Sequence, residues 1–261
     1  MGEYDTMTWT KLTDLPNSRM PTRYDPNKSY WEVIDGKVVH QGRPNRTADV
    51  ESFELLDGSQ FVARDKNYVY HAWSTLKSID RDTFEYVGDG YFRDKTLAYC
   101  EYETSIKPLK GNTVEGFKVL GNSYARDKNL AYYCGRAIAK CTSPMALELV
   151  EQTGQHPIFA AKDAMGCYYE GAQLKDADPK TWVMGEMGFS TDANGVYFGS
   201  KRLGKMHPKS WKRLKHPYST DGKNVYLMHM RLQGADAASF EVLPDGTARD
   251  KISIFVGKRR G

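Results

Sequence analysis

Eight aspartates recur along the 261-residue chain, each followed five positions later by an aromatic ring: Asp25/Tyr30, Asp65/Tyr70, Asp94/Tyr99, Asp127/Tyr132, Asp163/Tyr168, Asp192/Tyr197, Asp221/Tyr226 and Asp250/Phe255. A carboxylate on a period could serve as a calcium ligand or as a general acid or base. Calcium-binding repeats are shorter and dense in glycine, whereas each unit here has one firm acidic position, usually followed by Lys as at Asp65-Lys66. Catalytic groups occur once per site and not once per repeat. The periodic aspartates therefore read as turn formers, whose side chains accept hydrogen bonds from backbone amides two residues on.

The other residues able to do chemistry are scattered. The six histidines (His40, His71, His156, His207, His216, His229) show no metal-ligand spacing, and His207 holds a repeat position where other copies have Asp, which points to capping. There is neither a Gly-rich phosphate loop followed by a helix nor a Gly-x-Ser-x-Gly elbow. Cys100, Cys134, Cys141 and Cys167 lack Cys-x-x-Cys spacing. Cys100, Cys134 and Cys167 each lie within seven residues of a repeat Asp and read as buried free thiols between strands. A Cys134–Cys141 disulfide is an expectation only for an exported protein. The chain is therefore expected to be no enzyme, with no catalytic residue, cofactor or metal.

One charged cluster stands out. No acidic residue lies between Asp192 and Asp221, while Lys201, Arg202, Lys205, Lys209, Lys212, Arg213 and Lys215 crowd that stretch. Such a field can steer an acidic partner, although a solvated face is the plainer reading of any charge run. Asp49, Glu51, Glu54 and Asp57 make the charge uneven along the chain. The net charge is only +4, and no motif interleaves aromatics with the basic residues, so nucleic acid is an improbable partner. The expected partner is a protein with an acidic face.

The elements that carry these residues follow from the period. The last four aspartates stand 29 residues apart, and the gaps from Asp65 to Asp163 are 29, 33 and 36. The unit reads Asp-x4-aromatic-x5-Leu-x3-Asp-Pro-x-(Ser/Thr)-(Phe/Trp), as in Asp163, Tyr168, Leu174, Asp178, Pro179, Thr181 and Trp182. Two units carry insertions: Phe117 sits late after Asp94, and the element after Asp127 is blurred around Ala146 to Val150. A worn first copy runs from Asp25 to Asp49-Val50-Glu51-Ser52-Phe53.

Polar turn formers between short aromatic runs, as in Tyr124-Ala-Arg-Asp-Lys-Asn-Leu-Ala-Tyr-Tyr133, predict a hairpin. A second bend leads to the strand carrying the Leu, Asp178-Pro179 predicts one capped helical turn, and the second aromatic opens another strand. Each unit is thus about three short antiparallel strands plus a helical turn. The fold class is all-β, a tandem array stacked into one elongated or curved body, because such units bury their apolar faces only against neighbours. Residues 25–261 form this array and 1–24 an irregular N-terminal cap or tail, with Trp9, Trp31 and the polar Lys258-Arg259-Arg260 available to cover its ends.

The letters Asp65-Lys66-Asn67-Tyr68-Val69-Tyr70 and Asp127-Lys128-Asn129-Leu130-Ala131-Tyr132 resemble the DKNYY family of bacterial tandem-repeat proteins over about residues 50–261. The copies at Asp163, Asp192 and Asp221 keep the frame while departing from the letters. The resemblance implies a bacterial repeat scaffold and brings no activity, cofactor or site residue with it.

No apolar run approaches the roughly 18 residues of a membrane span, and the polar start Met1-Gly-Glu-Tyr-Asp-Thr-Met does not resemble a signal peptide. The expected compartment is the cytoplasm for the chain as it stands, or the periplasm or envelope if a signal peptide precedes it. Two functions follow as expectations. One is a non-catalytic protein-binding scaffold, specifically an immunity-type inhibitor that neutralises a bacterial toxin. The alternative is an exported envelope or surface protein that binds glycan or another envelope component through its aromatics (17 Tyr, 10 Phe, 5 Trp).

Overall fold

The computed structural model describes residues 7–151, 159–257 and 259–260. It is built of short antiparallel sheets, with 3₁₀ turns as the only helical elements among the described residues. By its contacts the chain divides into two compact units, residues 1–129 with 134–137 and residues 130–133 with 138–261.

In the first unit, Glu85–Gly88, Tyr91–Arg93, Ala98–Tyr102 and Ser105–Pro108 make one sheet in chain order. Arg19–Pro21, Ser29–Ile34, Lys37–His40 and Arg43–Pro44 make another, and Lys118–Gly121 pairs with Tyr124–Arg126. The sheet of Glu54–Leu56, Val62–Arg64, Val69–His71 and Ser74–Leu76 gains Trp9–Lys11 as a fifth strand on the edge of Glu54–Leu56. The stretch expected as an N-terminal cap or tail thus supplies a strand to each of two sheets. Those strands are three residues long, too short to reveal an alternation in sequence.

The second unit repeats the same four-stranded sheet. Its copies are Glu148–Leu149 to Ala172–Gln173, Val183–Met184 to Lys201–Arg202, Lys212–Arg213 to Met230–Arg231, and Glu241–Val242 to Arg259–Arg260. The last copy includes part of the expected polar cap; Lys258 and the side chains of Arg259 and Arg260 lie outside the described residues, as do Met1–Thr6 and His156.

Each sheet has four strands where the sequence suggests about three, because the second bend after the aromatic is itself a hairpin turn. The sheet also begins after the second aromatic, so the folding unit is offset from the sequence unit. The repeat leucine ends the strand Ser74–Leu76 but lies just past the strand at Leu174, Leu203 and Leu232, buried in each of these three. The Asp-Pro element is a 3₁₀ turn at Val50–Ser52 and Pro144–Ala146 and a single hydrogen-bonded turn elsewhere, as where the Thr181 amide donates to the Asp178 carbonyl at 3.2 Å. In the blurred copy, buried Leu147 stands where the others carry Phe or Trp.

The core forms between successive repeats. Tyr197 packs with Cys167, Leu174 and Trp182, which precede its sheet, and with Met184 of its own sheet, and Tyr226 packs with Phe189, Val196, Leu203 and Met206. Burying one such side chain stabilises the fold by about 1.5–3 kcal/mol, and it is available only if the neighbour is folded. The strand register explains a further regularity. The ring five residues after the Asp faces the residue two before it across the hairpin: Ala63↔Tyr70, Ala161↔Tyr168, Ser190↔Tyr197 and Ala248↔Phe255. A small side chain there leaves room for the ring, the exception being Phe92, which faces Tyr99 in the Asp94 repeat.

Candidate functional site

Several of the repeat aspartates each collect four or more hydrogen bonds. Asp94 is buried, and its Oδ1 accepts the amides of Thr96 at 2.7 Å and Leu97 at 2.8 Å, closing the hairpin turn. Its Oδ2 accepts the Tyr99 hydroxyl at 2.6 Å and the amide of Asp80 at 3.0 Å. The second contact reaches back to the Asp-Pro element that ends the preceding copy. Asp65, Asp163 and Asp192 repeat the pattern, with their Tyr hydroxyls at 2.7, 3.2 and 3.2 Å and the amides of Asp49, Ser143 and Asp178 at 2.8, 3.3 and 2.6 Å. Each of these aspartates is thus a clasp between repeats as well as a turn former.

The remaining letters of the motif complete the clasp. Lys66, Lys95 and Lys251, each one residue past a repeat Asp, place their ammonium groups against Asp49 at 2.7 Å, Asp80 at 2.6 Å, and Asp236. The amides of the same lysines donate to Ser52, Thr83 and Ser239 hydroxyls at 3.1, 3.0 and 3.1 Å, which accounts for Ser/Thr three residues into the Asp-Pro element. Burial alone would raise the Asp94 pKa, but the bonds from Tyr99, Thr96 and the two amides outweigh it and hold the carboxyl at about 2. Lys66 and Ser52 likewise hold Asp49 at about 2. Burial, with the adjoining carboxylate, pushes Tyr70 and Tyr99 above the ordinary phenol range. These shifts favour a charged carboxylate beside a neutral phenol, the two forms whose hydrogen bonds hold the turn.

The clasp is incomplete in the repeat of Asp221. His207 takes the cap position, where its Nδ1 accepts the Lys209 amide at 3.2 Å and so performs the capping that the spacing predicts. Asp221 Oδ2 takes the Asn224 amide group at 3.0 Å, and Gly222 stands where the copies of Asp65, Asp94, Asp127 and Asp250 have Lys. This is also the basic repeat. Three of its seven cations are engaged internally. Arg202 donates to the Asn194 carbonyl at 2.6 Å and stands 3.9 Å from Asp176, Arg213 pairs with Glu186 at 2.6 Å, and Lys215 donates to the Leu243 and Pro244 carbonyls at 3.3 and 3.0 Å. Lys201, Lys205, Lys209 and Lys212 are exposed and have no carboxylate within ion-pair distance among the described residues. The basic cluster therefore reduces to four outward-facing lysines. The acidic set near the other end is largely engaged, with Asp49 on Lys66, Glu54 on Arg64 at 2.8 Å, and Asp57 accepting from Thr8 and Thr10.

Two buried histidines were not distinguished by spacing. His40 Nε2 lies 3.3 Å from the Gln60 carbonyl between Trp31 and Trp73, and His71 Nε2 lies 3.3 Å from Glu101 of the next repeat. Burial lowers the His40 pKa to about 4, and the nearby His71 adds to the shift. No group of three or more His, Cys, Asp or Glu able to hold a metal occurs among the described residues. Cys100, Cys141 and Cys167 are buried free thiols, whereas Cys134, expected to be buried too, is exposed at a hairpin tip. A cleft of about 450 Å³ lies between successive hairpin tips of the second unit, lined by Tyr169, Met187, Phe198 and His229 among others. No helix among the described residues is long and apolar enough to cross a membrane.

The model of the DKNYY family matches residues 22–103 and 91–230. Neither the curated proteins nor the solved structures contain a significant match to the chain.

Proposed function

The chain belongs to the DKNYY family, and on that premise we propose that it is a non-catalytic protein-binding scaffold whose basic repeat docks on the acidic face of another protein. The observation that carries this reading is the set of four exposed lysines, Lys201, Lys205, Lys209 and Lys212, which have no carboxylate within ion-pair distance among the described residues. Lysines without an internal carboxylate partner retain a positive field for a partner protein, which acts mainly on the association rate and at low salt. Nothing in this mode of binding calls for a cofactor.

Within this class the reading is an immunity-type inhibitor that binds and blocks a bacterial toxin, for which a stable scaffold with a shallow charged face suffices. The test is co-expression with the toxin-like product of a neighbouring gene. Protection of the cells and a one-to-one complex support it; growth arrest despite full expression of both chains contradicts it.

A second reading, an exported protein that binds glycan, is favoured by the cleft lined by Tyr169 and Phe198, since aromatic faces pack against sugar rings. Retention of the protein on cell-wall material, abolished by Phe198→Ala, would favour it over the first.

A further inference from the structure

Cys100 lies buried in the strand Ala98–Tyr102, and the tip of the following hairpin is set directly on it. A methyl group added to Gly135 would stand 2.7 Å from Cys100 Cβ and 2.8 Å from its Sγ. Two hydrogen bonds pin that tip in place: the Gly135 amide donates to the Tyr91 hydroxyl at 2.9 Å, and the Tyr102 hydroxyl donates to the Gly135 carbonyl at 3.3 Å. The residue before Gly135 is Cys134, exposed, in a left-handed turn conformation with φ 46°. Adjacent Cα atoms are about 3.8 Å apart, so the tip contact holds Cys134 next to the residue that touches Cys100, and the Cys134 thiol is near enough to act electrostatically on Cys100. Cys141, the nearest cysteine to Cys134 in sequence, is buried and donates its thiol to Asp163 at 3.3 Å.

We propose that Cys100 and Cys134 are a redox pair, which closes a disulfide between consecutive repeats when the protein meets a low-molecular-weight disulfide. The exposed Cys134 thiolate attacks one sulfur of the oxidant and releases one equivalent of small thiol. Cys100 then attacks the Cys134 sulfur of the mixed disulfide, releasing the second equivalent, so two protein thiols and one small disulfide become one protein disulfide and two small thiols. Burial, with the neighbouring Cys134 thiol, pushes Cys100 up to about 12. Cys134 therefore initiates, and the second step is the slower, because the thiolate is the nucleophile.

The test is treatment of the reduced full-length protein with oxidised glutathione under native conditions, followed by intact mass and disulfide mapping. The expected course is a glutathione adduct on Cys134 that converts to a Cys100–Cys134 bridge, with a higher urea midpoint for the bridged protein. Cys100→Ser should stop at the adduct. Wild-type protein that retains the adduct without resolving it, a bridge to Cys141 or Cys167, or no reaction at Cys134 would each overturn the proposal. The wild-type mapping stands whether or not the Cys100→Ser variant folds.

Discussion

Asp94 Oδ2 accepts the backbone amide of Asp80 at 3.0 Å, tying the turn of one repeat to the capping element of the repeat before it. The bond recurs from Asp65 to Asp49, from Asp192 to Asp178 and from Asp250 to Asp236. The motif aspartate is thus the covalent chain's link between local turn geometry and the stacking of neighbours.

Asp94→Asn should destabilise more than Tyr99→Phe. The first variant removes a buried anion that accepts two hydroxyls and three amides, at a cost of about 3 kcal/mol; the second removes one bond to that anion, at about 1.5 kcal/mol. Urea unfolding of both variants measures the difference, and equal midpoints would show that the carboxylate's charge is not what holds the clasp.

Stability should fall in two steps as the solution is acidified. His40 has its folded pKa lowered from 6.5 to about 4, so its contribution is complete above about 6.5 and is lost as pH falls toward 4. Asp94 has its folded pKa lowered from 3.8 to about 2, so its contribution is present above 3.8 and is lost as pH falls toward 2. His40→Phe should flatten the upper step and leave the lower; Asp94→Asn should do the reverse. Unfolding free energies across a pH series would show whether the two windows separate.

Gly135→Ala should cost more than Gly222→Ala, although both glycines have positive φ, 72° and 84°. An alanine at Gly222 meets open space and incurs only the backbone strain of about 1–2 kcal/mol. At Gly135 the added methyl collides with Tyr102 and Cys100, and overpacking adds about 1–3 kcal/mol. Thermal unfolding of the two variants side by side checks the order.

The repeat length, the all-β class and the hairpin around each Asp were legible because turn chemistry and aromatic spacing are local. The clasp was not, since the contact between Asp94 and Asp80 joins elements of adjacent repeats and leaves no local pattern. A partial trace was present: Lys follows the Asp at Lys66, Lys95 and Lys251, where the preceding cap is acidic, although Lys128 follows Asp127 with Thr113 at the cap and Ala193 follows Asp192 with Asp178 there. Ala or Ser two residues before the Asp, as at Ala63 and Ser190, likewise signals the facing tyrosine in most copies, Phe92 before Asp94 being the exception. The basic stretch was visible as composition, but only distances show that Arg202, Arg213 and Lys215 are engaged internally, leaving Lys201, Lys205, Lys209 and Lys212 outward. His71 against Glu101 left no sequence signal, because the two are brought together only by stacking.

The most direct measurement of the proposed function is a quantitative pull-down from host extract with the wild-type protein and a Lys201→Glu/Lys205→Glu/Lys209→Glu/Lys212→Glu variant, at low and high salt. The account expects one protein partner enriched by the wild type at low salt, reduced at high salt and lost with the variant, while the variant's unfolding midpoint stays near that of the wild type. Equal capture of the same partner by both proteins, or retention on cell-wall material in place of any protein, would contradict it.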